Sequence, residues 1–196
     1  LAAIFGLVIG ILLVAIVASY HSTNKHNQVL SQLLQDASTK TVLAYSMREA
    51  IRERIDGLRT MLTTADPFER DEEKMRLFGY ASKYARARES LIQELETDPE
   101  RRMFERLDSS ARDARPAESL ALDALFDDSL PYAEVDFAVY SAIDGHLVLL
   151  RRLDEIVITI HQTAQTRIHK AGKAFNEALL FEALMGTLAT AIAMVA

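Results

Sequence analysis

Both ends of this 196-residue chain are apolar and uncharged, while everything between them is polar and amphipathic. Leu1 to Ala18 carries no charge, a run within the roughly 17–25 residues that a helix needs to cross a bilayer. The last 14 residues, Ala183 to Ala196, are equally uncharged. A secretory signal core is shorter, about 7–15 residues, and no A-x-A-like cleavage site precedes Tyr20 and His21. A buried soluble helix would serve the C-terminal run, but Glu177 and Glu182 suit an interface from which a span begins near Ala183. The expectation is therefore two anchors and a soluble middle: a transmembrane helix over 1–19, a bundle over 20–176, and a second transmembrane helix over 177–196 that continues past the end. We read the sequence as a fragment cut close to both spans.

The middle is built for helices. Charged residues make up 26% of the chain and apolar ones 49%, with only 7 Gly and 4 Pro to punctuate them. That composition favours long amphipathic helices over a turn-rich β fold. The absence of cysteine excludes disulfides, thiol nucleophiles and thiolate metal sites. The net charge of −6, with bases interleaved among acids, leaves no basic stripe for nucleic acid.

Proline divides the middle into four. Asp66-Pro67, Asp98-Pro99 and Leu130-Pro131 each mark a helix start, because Pro is favoured in the first helical turn. Asp66 and Glu69 form a candidate capping pair. Helices are expected over 20–65, 67–95, 99–128 and 131–176, with Pro116 kinking or breaking the third. A seven-residue seam runs from Leu30 through Leu34, Ala37, Thr41, Ala44, Arg48, Ile51, Ile55, Leu58 and Leu62 to Ala65. Val139, Ile143, Leu150, Leu153, Val157, Ile160, Ala164 and Ala171 repeat similarly in the fourth helix, as do Leu77, Ala81, Tyr84, Leu91 and Leu95 in the second. Such seams predict knobs-into-holes packing. The fold class is all-α, an up-down-up-down antiparallel four-helix bundle flanked by two transmembrane helices. A helix running unbroken from bundle to bilayer is a mechanical link, able to carry a shift, tilt or rotation.

The long-short-short-long helix pattern between two spans resembles the four-helix-bundle sensory modules of bacterial transmembrane receptors, among them chemoreceptors, histidine kinases and diguanylate cyclases. Met47-Arg48-Glu49-Ala50, Arg54, Leu58, Met61 and Asp66-Pro67-Phe68-Glu69-Arg70-Asp71-Glu72 add a local likeness to the version attached to cyclic-di-GMP enzymes. The resemblance implies a parallel homodimer in the bacterial inner membrane, a periplasmic bundle and a cytoplasmic output domain. Sidedness comes from the resemblance alone, since the short flanking loops that the positive-inside rule counts are not in the sequence.

The resemblance also implies small anionic ligands held by first-helix arginines at the dimer interface. Arg48, Arg52 and Arg59 share one face of that helix, and guanidinium matches a carboxylate with two parallel donors. The competing reading is structural pairing. If helices one and four are level at their distal ends, residue i faces about 196 − i, which sets Arg52 beside Asp144 and Arg59 near Asp136. Gly6 and Gly10 form a G-x-x-x-G in the first span, a spacing that lets two membrane helices approach closely, although Gly is common in such helices anyway. His21, His26, His146, His161 and His169 show no metal-binding spacing and are expected to be solvated or interfacial. The acids Asp71, Glu72 and Glu73 suit a helix N-terminus, and Asp127-Asp128 a solvated turn. No catalytic residues, cofactor or metal are expected. The function expected is signal input, with a small anion or a periplasmic binding protein as stimulus and no nucleic-acid partner. A membrane-tethered dimerisation or spacer module that senses nothing is the alternative.

Overall fold

The computed structural model describes residues 2–195, except for the side chains of 1–9, 11, 12, 14, 15, 18, 189, 190 and 192–196. Four helices follow one another: α1 (Ala2–Thr63), α2 (Pro67–Glu94), α3 (Asp98–Leu125) and α4 (Tyr132–Val195). No strand occurs among the described residues. The residues form two compact units, one of 1–36 with 164–196 and one of 37–163.

The unit of 37–163 is a four-helix bundle, and its core follows seven-residue registers. On α1, Ala37, Ala44, Ile51 and Leu58 are buried, and so are Lys40, Met47 and Met61 on a parallel stripe that Arg54 completes. On α4, Val139, His146, Leu153 and Ile160 form one buried row, with Ala142, Leu149 and Ile156 beside it. Leu77 and Leu91 on α2, and Phe104, Leu107, Ala114 and Ala121 on α3, close the core. The first-helix seam therefore needs correction at its ends, since Leu34 and Ala65 are exposed. It also omitted the second stripe through Lys40, Met47, Arg54 and Met61.

The helix ends show why the chain turns where it does. Asp66 caps α2 by accepting from the Phe68 amide at 2.9 Å, with Pro67 in the first turn. The cap of α3 is Thr97, one residue before the expected Asp98, because Thr97 and Glu100 form a reciprocal capping box. Arg70 ties the far end, donating from Nε to the Thr64 carbonyl at 2.7 Å and from an Nη to the Leu125 carbonyl at 3.1 Å. At the turn before α4, the Asp127 carboxylate accepts from both the Ser129 amide and hydroxyl. Those two bonds hold its pKa below the ordinary carboxylate value.

Helix α3 runs through Pro116 without a break, so of the expected kink or break the break does not occur. Proline removes the donor to the Arg112 carbonyl, but residues 112 and 116 are both exposed, so water can take that acceptor. Two glycines permit close helix contacts. A Cβ on Gly57 would lie 2.9 Å from Leu77 Cδ2 on α2, and one on Gly145 would lie 3.1 Å from the Ala114 Cβ on α3.

One charge pair lies fully inside the bundle. Lys40 Nζ approaches Glu100 Oε1 at 3.5 Å, with side-chain exposures of 0% and 3%. The other Glu100 oxygen accepts from the Thr97 and Glu96 amides. Removing one member of a buried pair costs about 3–5 kcal/mol, so Lys40 and Glu100 tie α1 to the start of α3.

The unit of 1–36 and 164–196 is made of the first part of α1 and the last part of α4. The His26 ring stacks on Phe175 with centroids 4.1 Å apart, and Arg167 lies 3.6 Å from Asp36. Among the described residues no helix is long and apolar enough to cross a membrane. Most side chains of 1–18 and those of 192–196 lie outside the described residues, and Gly6 falls there. Gly10 is exposed, with open space where a Cβ would stand.

Candidate functional site

The bundle core changes character halfway along. Apolar layers at Met47 and Met61 bracket Arg54, which occupies the same stripe of α1 one heptad from each. At this level α2 contributes Tyr84, α3 contributes Glu118, and α4 contributes His146, all from positions in the registers that elsewhere carry apolar residues. Between them stand Ala81, Ala85, Ala111 and Ala114. Polar ends on long side chains, set among alanines, leave space that leucines would fill. The result is a cavity of about 450 Å³, also lined by Ile51, Arg88, Asp108, Arg112, Arg115 and Leu149.

Its inner wall is a linked polar group. Arg54 donates through an Nη to Glu118, with side-chain exposures of 18% and 14%. Glu118 Oε2 also faces His146 Nε2 at 3.9 Å. His146 is 1% exposed and its Nδ1 lies 2.8 Å from the Ala142 carbonyl, so Nδ1 carries the proton and donates, leaving Nε2 as an acceptor. Burial pushes the His146 pKa down, and the neighbouring Arg54 charge lowers it further against the bond to Ala142. Burial likewise lowers the Arg54 pKa, while Tyr84 opposes and Arg115 reinforces the shift. The Tyr84 hydroxyl is pushed up to about 12, chiefly by burial and then by Asp108, and is a neutral donor at physiological pH.

Two donors on this wall have no protein partner: Arg54 Nε and the Tyr84 hydroxyl. Buried polar groups are nearly always satisfied, so these two donors are open to an acceptor oxygen of water or of a bound molecule. On the outer side, Arg88 holds Asp108 with two bonds, the Nε one at 2.8 Å, which raises the Arg88 pKa. Arg112 and Arg115 are exposed and form no ion pair among the described residues. Four arginines against two carboxylates leave the lining with an excess of two positive charges.

None of the three arginines singled out in the sequence lines this cavity. Arg48 is engaged with Asp154 at 3.0 Å on α4, and its buried Nε has no partner. Arg52 is exposed, and Arg59 bonds Asp56 on its own helix at 3.3 Å. Neither the expected pairing of Arg52 with Asp144 nor that of Arg59 with Asp136 occurs among the described residues. Arg48 meets Asp154 rather than residue 148, because α4 does not begin level with the end of α1. The expectation of a solvated or interfacial histidine also fails at His146, which a heptad position carries into the core.

A second cavity is an open groove between α3 and α4, with Leu120 and Phe137 exposed on its floor and Asp113, Asp123, Asp127 and Glu134 along its sides. It lacks any cationic group and draws on two helices only. Among the described residues no cluster of His, Asp or Glu is arranged to hold a metal ion. No family model, curated protein or solved structure matches the chain.

Proposed function

We propose that this chain is the sensory input module of a bacterial membrane receptor, in which a small anionic ligand in the bundle core is the stimulus. The carrying observation is the arginine-rich cavity with its two unpartnered donors, lined from all four helices. A ligand that bonds to several helices at once favours one of their packings over another, which is the thermodynamic requirement for a signal. Anchoring rests on the uncharged runs 1–18 and 183–196, and the resemblance supplies the rest: a homodimer in the inner membrane, the bundle on the periplasmic side, and an output domain in the cytoplasm. Ligand binding then shifts α1 or α4, and the shift passes inward. The role of these residues is binding rather than catalysis.

A thermal-shift screen of the full chain against organic acids, amino acids and phosphorylated compounds tests this. At least one solute will raise the melting temperature of the wild type, and the rise will vanish in Tyr84→Phe, a change that keeps the ring and removes the unpartnered hydroxyl. If a folded chain responds to no solute, the module is a spacer or is read by a partner protein.

A further inference from the structure

The cavity's charge and donor geometry carry the argument to the class of ligand. Arg54 and Arg88 are each already matched by a carboxylate, Glu118 and Asp108. The remaining excess therefore lies on Arg112 and Arg115, at the exposed side. The unpartnered Arg54 Nε and Tyr84 hydroxyl are buried on the same lining. These donors share one lining with the alanines Ala81, Ala85, Ala111 and Ala114, and Arg115 is near enough to act on both Arg54 and Tyr84. A volume of about 450 Å³ falls within the range of small-molecule sites.

We infer that the cavity takes a small dianion, with acceptor oxygens on Arg54 Nε and the Tyr84 hydroxyl and its charge offset by Arg112 and Arg115. This rests on the reading of the cavity as a ligand site and gives it a chemistry. A neutral solute leaves the two outer guanidiniums unmatched, and a cation meets four arginines. A monoanion offsets only half of the excess charge. A short dicarboxylate and a phosphoryl compound share the required features: two negative charges and several acceptor oxygens that arginine can grip in pairs. The site lies within the core of one bundle, so it needs no second copy of the chain.

Titration calorimetry on the full chain at pH 7.5 tests this with four probes: succinate, its monoamide succinamate, inorganic phosphate and the diamine putrescine. Succinate or phosphate binds, and which of the two binds more tightly separates a carboxylate from a phosphoryl ligand. Succinamate binds about tenfold more weakly than succinate if the dicarboxylate is favoured, the loss expected for one charge-assisted contact. Arg115→Gln, an exposed change that leaves the helical circular dichroism unchanged, weakens the preferred dianion by a similar factor. Equal binding of succinate and succinamate with no binding of phosphate overturns the dianion, as does indifference to Arg115→Gln. If succinamate or putrescine binds best and Tyr84→Phe abolishes it, the ligand site stands and only its charge was misassigned. If none of the four probes gives heat, the dianion falls, and the wider solute screen decides the fate of the site.

Discussion

A single imidazole illustrates how position overrides type. His146 has the side chain most readily assigned to a surface, yet it sits at a heptad position of α4 and is 1% exposed. The charged groups that face it come from other helices, Glu118 on α3 at 3.9 Å and Arg54 on α1, and Arg88, Asp108, Arg112 and Arg115 line the same cavity. Its pKa is depressed, first by burial, so the folded protein binds fewer protons here than the unfolded chain. By linkage, the folded state keeps its advantage above the ordinary histidine value of about 6.5 and loses it as the pH falls through that value. The melting temperature should therefore drop between pH 7.5 and 5.5, with a contribution from this group of at most about 1.4 kcal/mol per pH unit. Melting curves of His146→Leu over the same range should show a shallower drop. An identical pH dependence in the two proteins would mean that the carboxylates set it.

At the scale of helices, Gly57 of α1 and Gly79 of α2 predict opposite outcomes for one substitution. Gly79 lies on the exposed side of α2 with nothing near a would-be Cβ. Gly79→Ala should therefore stabilise the fold by about 0.5–1 kcal/mol through helix propensity. Gly57 faces Leu77, which is 2% exposed and has no room to move, and Glu73, whose carboxylate can swing away. Gly57→Ala should cost about 1–2 kcal/mol despite the same propensity gain, because α1 and α2 must separate. Urea denaturation of both variants checks the pair.

The elements themselves were largely legible. The Asp66-Pro67 start, the α2 row of Leu77 and Leu91, and the α4 row of Val139 and Leu153 follow from capping and from sevenfold spacing alone. The site was not legible in that way. Arg54 stands inside the very stretch that carries the resemblance, and the spacing of Lys40, Met47, Arg54 and Met61 is as regular as the apolar seam. A charged residue in an amphipathic helix is ordinarily assigned to solvent, however, and that assumption hid Arg54, Glu118 and His146 together. The cavity also depends on the heights of four helices relative to one another, and a single sequence does not encode those heights directly. The displacement that pairs Arg48 with Asp154 shows how far a level-ends assumption misplaces a partner.

At the scale of the bundle, apolar layers that any helical bundle would choose are interrupted by the Lys40–Glu100 pair and by the layer of Arg54, Glu118 and His146. Replacing buried ion pairs by well-packed apolar residues is often neutral or stabilising by about 1–4 kcal/mol. The triple variant Arg54→Met, Glu118→Leu, His146→Leu should accordingly melt at the same or a higher temperature than the wild type, while losing every solute-dependent shift. A lower melting temperature would mean that the polar layer is a structural necessity. On the ion-pair reckoning the polar layer adds little strength, so the middle of the bundle should be where its core amide hydrogens exchange first, with the apolar layers on either side acting as bearings.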